Sequence, residues 1–250
     1  MSNRGYAVVT GASSGIGAAT AVALAGEGFQ VIAAARRVDN LNALAAQHEG
    51  IEPFELDVTD QASVDALAEY VSDKNVTVVV ANAGGAFDAT SVMEADLESW
   101  SKTFEVNVVG AVRTAKALLP ALIKSGAGTI VVMSSTAGRI VYENGGSYTA
   151  AKHGTTALAE TLRLELSGQP VRVVEIAPGM VRTDEFAVKR FDGDTERAAK
   201  IYEGVAEPLT AEDVAESVRW SVMLPQHFNI DLMVIRPIAQ SAQHKVHRVL

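Results

Sequence analysis

Short runs of β-branched residues alternate with longer helical patterns along nearly the whole chain. Apolar residues in the intervening segments recur at helical spacing, as at Leu41, Leu44 and Ala45. Strands that alternate with helices build a parallel sheet covered by helices on both faces. The sequence therefore predicts an α/β fold with a doubly wound, seven-stranded parallel sheet. The candidate strands are residues 6–10, 31–34, 51–55, 77–80, 129–133, 171–176 and 232–235.

No repeat, low-complexity tract or linker interrupts the chain, so we expect residues 1–250 to form a single domain. The one irregular region is the segment 178–208, which follows the sixth predicted strand and carries a charged cluster at 182–197. An open α/β sheet places its ligand crevice at this edge. We interpret the segment as a mobile substrate lid, and a solvated surface helix is the alternative.

Composition excludes several classes of protein. Hydrophobic residues make up 48% of the chain and charged residues 20%, which is typical of a globular protein rather than a disordered or fibrous one. The net charge of −9 argues against nucleic acid as a partner. The chain has no cysteine, and its histidines lack metal-ligand spacing, so no metal is expected. We find no targeting segment and no apolar run of spanning length, which predicts a cytoplasmic protein without a membrane partner.

A glycine-rich turn lies between the first strand and the first helix and reads Thr10-Gly11-Ala12-Ser13-Ser14-Gly15-Ile16-Gly17. Glycines permit a tight turn and close approach to a ligand, and the helix N-terminus offers N–H groups to a pyrophosphate. In this context the turn indicates a Rossmann-type dinucleotide site. The alternative is an ordinary flexible turn.

The end of the second strand indicates which dinucleotide is bound. A carboxylate normally stands there to accept hydrogen bonds from the ribose 2′-OH, but this chain reads Ala35-Arg36-Arg37. Guanidinium groups match a phosphate instead. We therefore expect NADP(H) rather than NAD(H), the alternative being that Arg36 and Arg37 are solvated residues opening the next helix.

A serine, a tyrosine and a lysine follow the fifth strand. Ser134 and Ser135 come directly after it, and Tyr148 and Lys152 open the next helix. Four residues are about one helical turn, so the phenol and the ammonium share a face. A neighbouring ammonium favours the anionic phenol, which would lower the pKa of the tyrosine towards neutrality and allow proton transfer.

Seven motifs in order resemble the short-chain dehydrogenase/reductase family over nearly the whole chain. They are Thr10-Gly11-x-x-x-Gly15-Ile16-Gly17, Leu56-Asp57-Val58, Asn82-Ala83-Gly84, Asn107, Ser135, Tyr148-x-x-x-Lys152 and Pro178-Gly179-x-x-x-Thr183. The resemblance implies an NADP(H)-dependent oxidoreductase that transfers hydride between its cofactor and a small alcohol or carbonyl compound. It also implies a homo-oligomer, a dimer or tetramer, formed through long helices near 97–124 and 148–166.

The resemblance implies four catalytic residues. Tyr148 would be the general acid/base, Ser135 would hydrogen-bond the substrate, and Lys152 would bind the nicotinamide ribose and lower the pKa of the tyrosine. Asn107 would hold a water in the proton relay, and the alternative is a polar group satisfied by the backbone inside its helix. Ser135 is chosen over Ser134 because it lies 13 residues before Tyr148, the interval usual in the family. Ser134 would instead have a structural role, either packing against its neighbours or capping a helix.

The resemblance also implies the cofactor contacts. Asp57 and Val58 would flank the adenine, Asn82 would lie beside the adenosine ribose, and Thr183 would hold the carboxamide. For Asp57, a cap on the following helix is the competing interpretation. The full expected set is Gly11, Ser13, Ser14, Gly15, Ile16, Gly17, Arg36, Arg37, Asp57, Val58, Asn82, Ala83, Gly84, Tyr148, Lys152, Pro178, Gly179, Val181 and Thr183.

A finer resemblance links the chain to the NADP-dependent 3-hydroxy acid (serine) dehydrogenases of this family. It covers residues 184–186, 190–194 and 209–213 and the tail 235–248. It implies that Arg190 grips a substrate carboxylate while Ser135 and Tyr148 contact the reacting group. A solvated lid charge is the alternative for Arg190, and an aldehyde or ketone reductase of secondary metabolism is the alternative function.

Two further hypotheses come from other classes of protein. A regulator could bind NADP(H) without turnover, and loss of the tyrosine or lysine would favour it, but Tyr148 and Lys152 are present. An epimerase or dehydratase is disfavoured because such relatives usually carry a substantial C-terminal substrate domain, and only residues 179–250 follow Pro178. The family also often has Asn at position 81 and Ser at position 151, where this chain has Ala81 and Ala151.

Overall fold

The computed structural model describes residues 4–183 and 185–249. Seven strands form one sheet in the order β3-β2-β1-β4-β5-β6-β7, and every neighbouring pair is parallel. The predicted doubly wound sheet is confirmed, with β6 reaching two residues further than predicted. The strands are β1 (Tyr6–Thr10), β2 (Gln30–Ala35), β3 (Ile51–Glu55), β4 (Val76–Ala81), β5 (Gly128–Met133), β6 (Val171–Pro178) and β7 (Leu232–Ile235).

Helices cover both faces of the sheet because alternate strand residues point to opposite sides. Ala7 and Val9 pack in a core with α1, α2 and α9, whereas Val8 packs in a second core with α3, α5 and α6. The helices are α1 (Gly15–Gly26), α2 (Val38–Gln47), α3 (Gln61–Tyr70), α4 (Leu97–Phe104), α5 (Gly110–Lys124), α6 (Gly146–Glu165), α7 (Phe186–Arg190), α8 (Thr195–Lys200) and α9 (Ala211–Met223).

The strand order reverses at β1, which lies between β2 and β4. The chain builds the sheet outward through β2 and β3 and then returns to the other side of β1. This reversal opens a crevice at the carboxyl ends of β1 and β4, where ligands bind in open α/β sheets. The glycine-rich turn and the segments after β4 and β5 all lie at this edge.

One helical stretch contradicts the expectation that no apolar run could span a membrane. Leu97–Lys124 is continuous through α4, a π-helical turn at Glu105–Val109 and α5, and its most apolar window has a mean hydropathy of 1.4. That window is 44% buried, and α5 packs on β4 and α3. Core helices of globular proteins meet the same length and composition test, so one such helix is weak evidence for a membrane span.

The segment 178–208 forms two short helices, α7 and α8, rather than a single surface helix. Val181 pairs with Leu209 in an isolated bridge, which joins the two ends of this segment. The C-terminal tail forms an antiparallel hairpin of β8 (Gln240–Ala242) and β9 (Lys245–Val246), which the sequence patterns did not predict. Gln240 Oε1 accepts a hydrogen bond from Met180 N at 2.8 Å, so the tail supports the start of the segment.

Candidate active site

The glycine-rich turn is shaped by close backbone contacts. Gly11 and Gly15 have φ angles of +70° and +52°, which side-chain-bearing residues rarely adopt. A Cβ atom on Gly17 would lie 2.3 Å from the carbonyl oxygen of Gly11. The turn therefore needs glycine at these positions and brings main chain to the floor of the crevice.

The end of β4 is fastened to this turn through Thr10. Thr10 Oγ1 accepts hydrogen bonds from the main-chain N–H groups of Asn82 and Ala83, each at 3.0 Å. Asn82 Nδ2 donates to the carbonyl oxygen of Thr10 at 2.9 Å. A Cβ atom on Gly11 would lie 2.9 Å from Ala83 Cα. The two segments expected to contact the cofactor are thus in direct contact with each other.

Arg37 and not Arg36 faces the glycine-rich turn. Arg37 Nη2 donates hydrogen bonds to Ser13 Oγ at 2.9 Å and to Ser14 Oγ at 2.8 Å, and its Nη1 forms an ion pair with Glu185. The Arg36 side chain is 65% exposed, and its Nη1 lies 4.0 Å from Asp57 Oδ2. The guanidinium of Arg37 after β2 and the two hydroxyl groups from the turn after β1 fit a ribose 2′-phosphate.

Asp57 does not cap the following helix, so that interpretation is wrong. Its Oδ1 accepts hydrogen bonds from Thr59 N at 2.9 Å and Thr59 Oγ1 at 2.7 Å, whereas Asp60 accepts from Ala62 N at the start of α3. Burial raises the pKa of Asp57, but the hydrogen bonds from Thr59 and the charge of Arg36 outweigh it and hold the pKa below its ordinary value.

Ser135, Tyr148 and Lys152 lie together behind the carboxyl end of β5. Ser135 Oγ donates to Pro178 O at 3.3 Å and accepts a hydrogen bond from Ala137 N at 3.1 Å. Lys152 Nζ donates to the main-chain carbonyl of Met133 at 2.9 Å and lies 5.7 Å from the centroid of the Tyr148 ring. All three side chains are buried to 9% exposure or less. The arrangement holds a hydroxyl, a phenol and an ammonium on one wall.

Burial determines the proton affinities of this wall. It raises the pKa of Tyr148 above its ordinary value, although the hydrogen bond with Ser135 acts in the opposite direction. The pKa of Tyr148 is therefore raised rather than lowered as expected, and Lys152 Nζ donates to the Met133 carbonyl rather than to the phenol. Burial also lowers the pKa of Lys152 to about 8, against the charge of Glu175. At neutral pH the phenol holds its proton.

Asn107 lies in the π-helical turn between α4 and α5 and is buried. Its Nδ2 donates to the carbonyl oxygens of Gly85 at 2.7 Å and Thr103 at 2.8 Å, and its Oδ1 accepts from Gly85 N at 3.3 Å. A Cβ atom on Gly84 would lie 2.5 Å from Asn107 Oδ1. The amide is thus satisfied by the backbone, and π-helical turns of this kind frequently occur at functional sites.

One cleft of about 740 Å³ lies at the carboxyl edge of the sheet. Every residue expected to contact the cofactor lines it, from Gly11 in the glycine-rich turn to Thr183 after β6, together with Ser135. Asn107 and Arg190 are not among the lining residues. Glu185 and Phe186 also line the cleft. The finer family resemblance covers both without assigning either a role, and Asp184 of the same stretch lies outside the described residues.

Arg190 lies on the tyrosine side of the cleft, at the end of α7. Its Nη2 donates to the carbonyl oxygen of Asn144 at 3.2 Å, and its guanidinium carbon lies 5.3 Å from the centroid of the Tyr142 ring. Burial raises the pKa of Tyr142, and the charge of Arg190 opposes this rise. Tyr142 and Phe186 pack around Tyr148. No sequence motif includes Tyr142, and Phe186 is included only in the resemblance over residues 184–186.

Comparisons with known proteins agree with this geometry. A family model described as short chain dehydrogenase matches residues 5–192. An uncharacterized oxidoreductase of Mycobacterium tuberculosis is 52% identical over 94% of this chain and 92% of that protein. An NADP-dependent 3-hydroxy acid dehydrogenase of Salmonella typhi is 36% identical over 96% of this chain and 98% of that protein.

A solved structure shares the fold throughout. The closed form of serine dehydrogenase complexed with NADP+ matches with a TM-score of 0.91 and 34% sequence identity, covering 98% of this chain and all of that one. The family match spans most of the chain, and these relatives are similar over nearly their whole lengths. The chain therefore belongs to the short-chain dehydrogenase/reductase family.

Proposed function

We propose that the protein is an NADP(H)-dependent oxidoreductase that interconverts a CH–OH group and a carbonyl group in a small 3-hydroxy acid. The observation that carries this proposal is the single cleft with a phosphate-binding end and a proton-transfer end. Arg37, Ser13 and Ser14 form the first, and Ser135 and Tyr148 form the second.

The cofactor would lie along the carboxyl edge of the sheet. The glycine-rich turn would hold its pyrophosphate, Arg37 and the two serines its 2′-phosphate, and Asp57 and Val58 its adenine. Near the other end, Lys152 would hold the nicotinamide ribose and Thr183 the carboxamide. The NADP-dependent name of the Salmonella typhi relative and the NADP+ in the serine dehydrogenase structure support this assignment.

The chain's own residues would manage the proton. NADP(H), when bound, supplies the hydride donor or acceptor for the reacting carbon. Tyr148 would donate its phenolic proton to the carbonyl oxygen during reduction and accept it during oxidation. Ser135 would donate a hydrogen bond to the same oxygen, because it lines the same buried part of the cleft as Tyr148. The protonated Lys152 would stabilise the phenolate left behind, and Asn107 would keep the backbone beside Gly85 in place.

Arg190 supports an acid as the substrate. It lies beside Tyr142, which packs with Tyr148, so its charge is close to the proton-transfer end of the cleft. Among the described residues, its buried Nε has no hydrogen-bond partner. A guanidinium can bind a carboxylate through two hydrogen bonds, which orients a short 3-hydroxy acid with its hydroxyl towards Tyr148.

The remaining proposals concern motion and assembly. We propose that the segment 178–208 closes over the substrate as a lid within a single domain formed by residues 1–250. We also propose a homotetramer, supported by Phe104 and Val112, which expose apolar surface on the helical stretch 97–124. The cytoplasmic location stays a prediction.

Kinetics with matched substrates test the proposed function. We expect NADP+ reduction with 3-hydroxypropionate and serine, NADPH oxidation with malonic semialdehyde, and much lower kcat/KM with uncharged 1,3-propanediol. Equal activity on the uncharged analogue would favour an aldehyde or ketone reductase. Tight NADPH binding without turnover of any carbonyl compound would contradict the oxidoreductase proposal and favour a sensor.

A further inference from the structure

A buried carboxylate lies behind the proton-transfer wall. Glu175 belongs to β6, three residues before Pro178, and its side chain is fully buried. Its Oε2 accepts a hydrogen bond from Arg139 Nη2 at 2.6 Å, and its Oε1 accepts one from Thr156 Oγ1 at 2.7 Å. Both carboxylate oxygens are thus engaged, one by a cation and one by a hydroxyl group.

These contacts join every segment that carries the wall. Thr156 follows Lys152 by one turn of α6, and its hydroxyl also hydrogen-bonds Ser134 Oγ at 3.0 Å. Ser134 adjoins Met133, whose carbonyl oxygen accepts from Lys152. A Cβ atom on Gly138 would lie 2.6 Å from the carbonyl oxygen of Lys152. The carboxylate therefore sits where β5, β6, α6 and the turn after Ser135 meet.

Stability alone is a poor reason for a carboxylate in this place. Removing a charged group from water costs several kcal/mol, and apolar residues of similar volume often replace a buried ion pair without loss of stability. The pair formed by Arg139 and Glu175 is only half buried, since the arginine side chain keeps 31% exposure. Besides hydrogen bonds the carboxylate supplies a negative charge beside α6, where its partner Thr156 lies one helical turn after a second buried cation.

That second cation is Lys152. Burial lowers the pKa of Lys152 to about 8, and the charge of Glu175 opposes this change. The ammonium is surrounded by Tyr148 on the same helix, Asn107 in the π-helical turn and the carbonyl of Met133 in β5. Of these, the phenol is protonated at neutral pH, and the amide and carbonyl groups do not titrate. Arg139 lies beyond Glu175 and offsets part of its charge.

We propose that Glu175 is a positioning residue that holds Thr156, Ser134 and Arg139 in place behind Tyr148 and supplies the negative charge behind Lys152. The inference rests on the proposed role of Lys152 in the reaction. It assigns no contact between Glu175 and the substrate or cofactor. The carboxylate acts through the lysine, by charge, and through Thr156, by a hydrogen bond.

The test compares variants that separate charge from hydrogen bonding. Glu175→Gln keeps the volume and an acceptor for Thr156 but removes the charge, and Glu175→Asp keeps the charge. The titration of Lys152 is followed by carbon-13 NMR of lysine-labelled protein without cofactor, with the resonance assigned by its loss in Lys152→Met. We expect Glu175→Gln to lower the pKa of Lys152 by about one unit and Glu175→Asp to restore most of it.

The kinetic readout is the pH profile of kcat for carbonyl reduction. We expect its alkaline limb to move to lower pH in Glu175→Gln, by about the shift measured by NMR, while activity at low pH stays close to that of the parent protein. Glu160→Gln is the matched control, because Glu160 contacts the same Arg139 at 3.5 Å but is 55% exposed. We expect this control to leave both the titration and the profile unchanged.

A second variant keeps the test valid if Glu175→Gln does not fold. If Glu175→Gln unfolds because Arg139 loses its buried partner, the double variant Glu175→Gln/Arg139→Met is titrated against Arg139→Met, so that the two proteins differ only in the charge of residue 175. An unchanged titration of Lys152 in the folded variant would overturn the inference. Wild-type kcat in Lys152→Met would instead contradict the proposed function, and the cofactor-free NMR titration would still decide the role of Glu175.

Discussion

Arg37 and Glu185 form an ion pair that joins the end of β2 to the segment 178–208. The same guanidinium donates to Ser13 and Ser14, and Lys189 Nζ lies 2.5 Å from the second oxygen of Glu185. Burial raises the pKa of Glu185, but hydrogen bonds from Arg37 and Lys189 outweigh it and lower the pKa to about 2. The carboxylate is therefore ionised at every working pH and engages the cation that we assign to the 2′-phosphate.

This competition predicts that Glu185→Gln binds NADPH more tightly. Removing the negative charge frees Arg37 for the phosphate, and the partly exposed pair limits the gain to about 3- to 10-fold in Kd. NADH lacks the phosphate, so its Kd is expected to stay the same. Fluorescence titration of both cofactors measures the ratio, with Glu196→Gln on exposed α8 as the control. Tighter binding of both cofactors would mean that Glu185 affects the whole cofactor-binding crevice rather than the 2′-phosphate site alone.

The two arginines after β2 are expected to contribute unequally to NADP(H) preference. Arg37→Met removes the guanidinium that faces Ser13 and Ser14 and is expected to weaken NADPH binding by about one to two decades. Arg36→Met is the matched control with a smaller loss, because that side chain is largely exposed. Calorimetric Kd values for NADPH and NADH measure both effects. Equal losses in the two variants would contradict the assignment.

Sequence patterns predicted the strands and the glycine-rich turn because these depend on local periodicity and backbone conformation. All seven strands of the sheet were predicted, and the positive φ angles of Gly11 and Gly15 agree with the tight turn expected there. Helix packing on both faces followed from the alternation of strands and helices. Predicting these features does not require knowing which residues distant in sequence are in contact.

Contacts between distant residues could not be predicted in this way. Arg37 and Glu185 are 148 positions apart, and Glu175 meets Arg139 only because β6 lies beside β5. The pKa of Tyr148 was expected to fall because its sequence neighbour is a lysine. The folded chain buries the phenol, and burial outweighs neighbouring charge in setting the direction. These long-range contacts and the burial of the phenol depend on three-dimensional packing.

Tyr148→Phe is expected to abolish turnover without loss of cofactor binding. The change deletes the proton-transfer group but keeps a ring against Phe186, whose centroid lies 5.4 Å away. General acid/base groups contribute about 10²- to 10⁴-fold to kcat. Steady-state kinetics and an NADPH titration measure the two effects separately. Retention of wild-type kcat would remove Tyr148 from the proposed mechanism.

Lys152→Met is expected to change stability in a pH-dependent way. The folded pKa of Lys152 is about 8, against an ordinary value of 10.5, so below pH 8 the folded protein bears a buried ammonium at a cost of about 3 kcal/mol. That cost disappears as pH rises from about 8 to 10.5, because the folded lysine loses its proton first. The free energy of unfolding of Lys152→Met should therefore exceed that of the parent protein by the largest amount below pH 8.

Denaturant unfolding at pH 7, 9 and 10.5 measures this difference. The lost hydrogen bond to Met133 subtracts about 1 kcal/mol from the advantage at every pH, so the trend with pH is the informative quantity. Lys124→Met, at an exposed lysine in the last turn of α5, is the control and should give a difference that does not vary. A constant difference for Lys152→Met would mean that the ammonium is not desolvated in the folded chain.

Arg190→Met is expected to separate acidic from uncharged substrates. The guanidinium lies beside Tyr142, and closure of the segment 178–208 would bury its pair with a substrate carboxylate. The loss in kcat/KM for 3-hydroxypropionate is expected to correspond to about 2 to 5 kcal/mol, with little loss for 1,3-propanediol. Arg182→Met is the matched control, because Arg182 contacts Tyr202, at 5.2 Å from its ring centroid. Equal losses for both substrate classes would remove Arg190 from the substrate site and leave the oxidoreductase assignment intact.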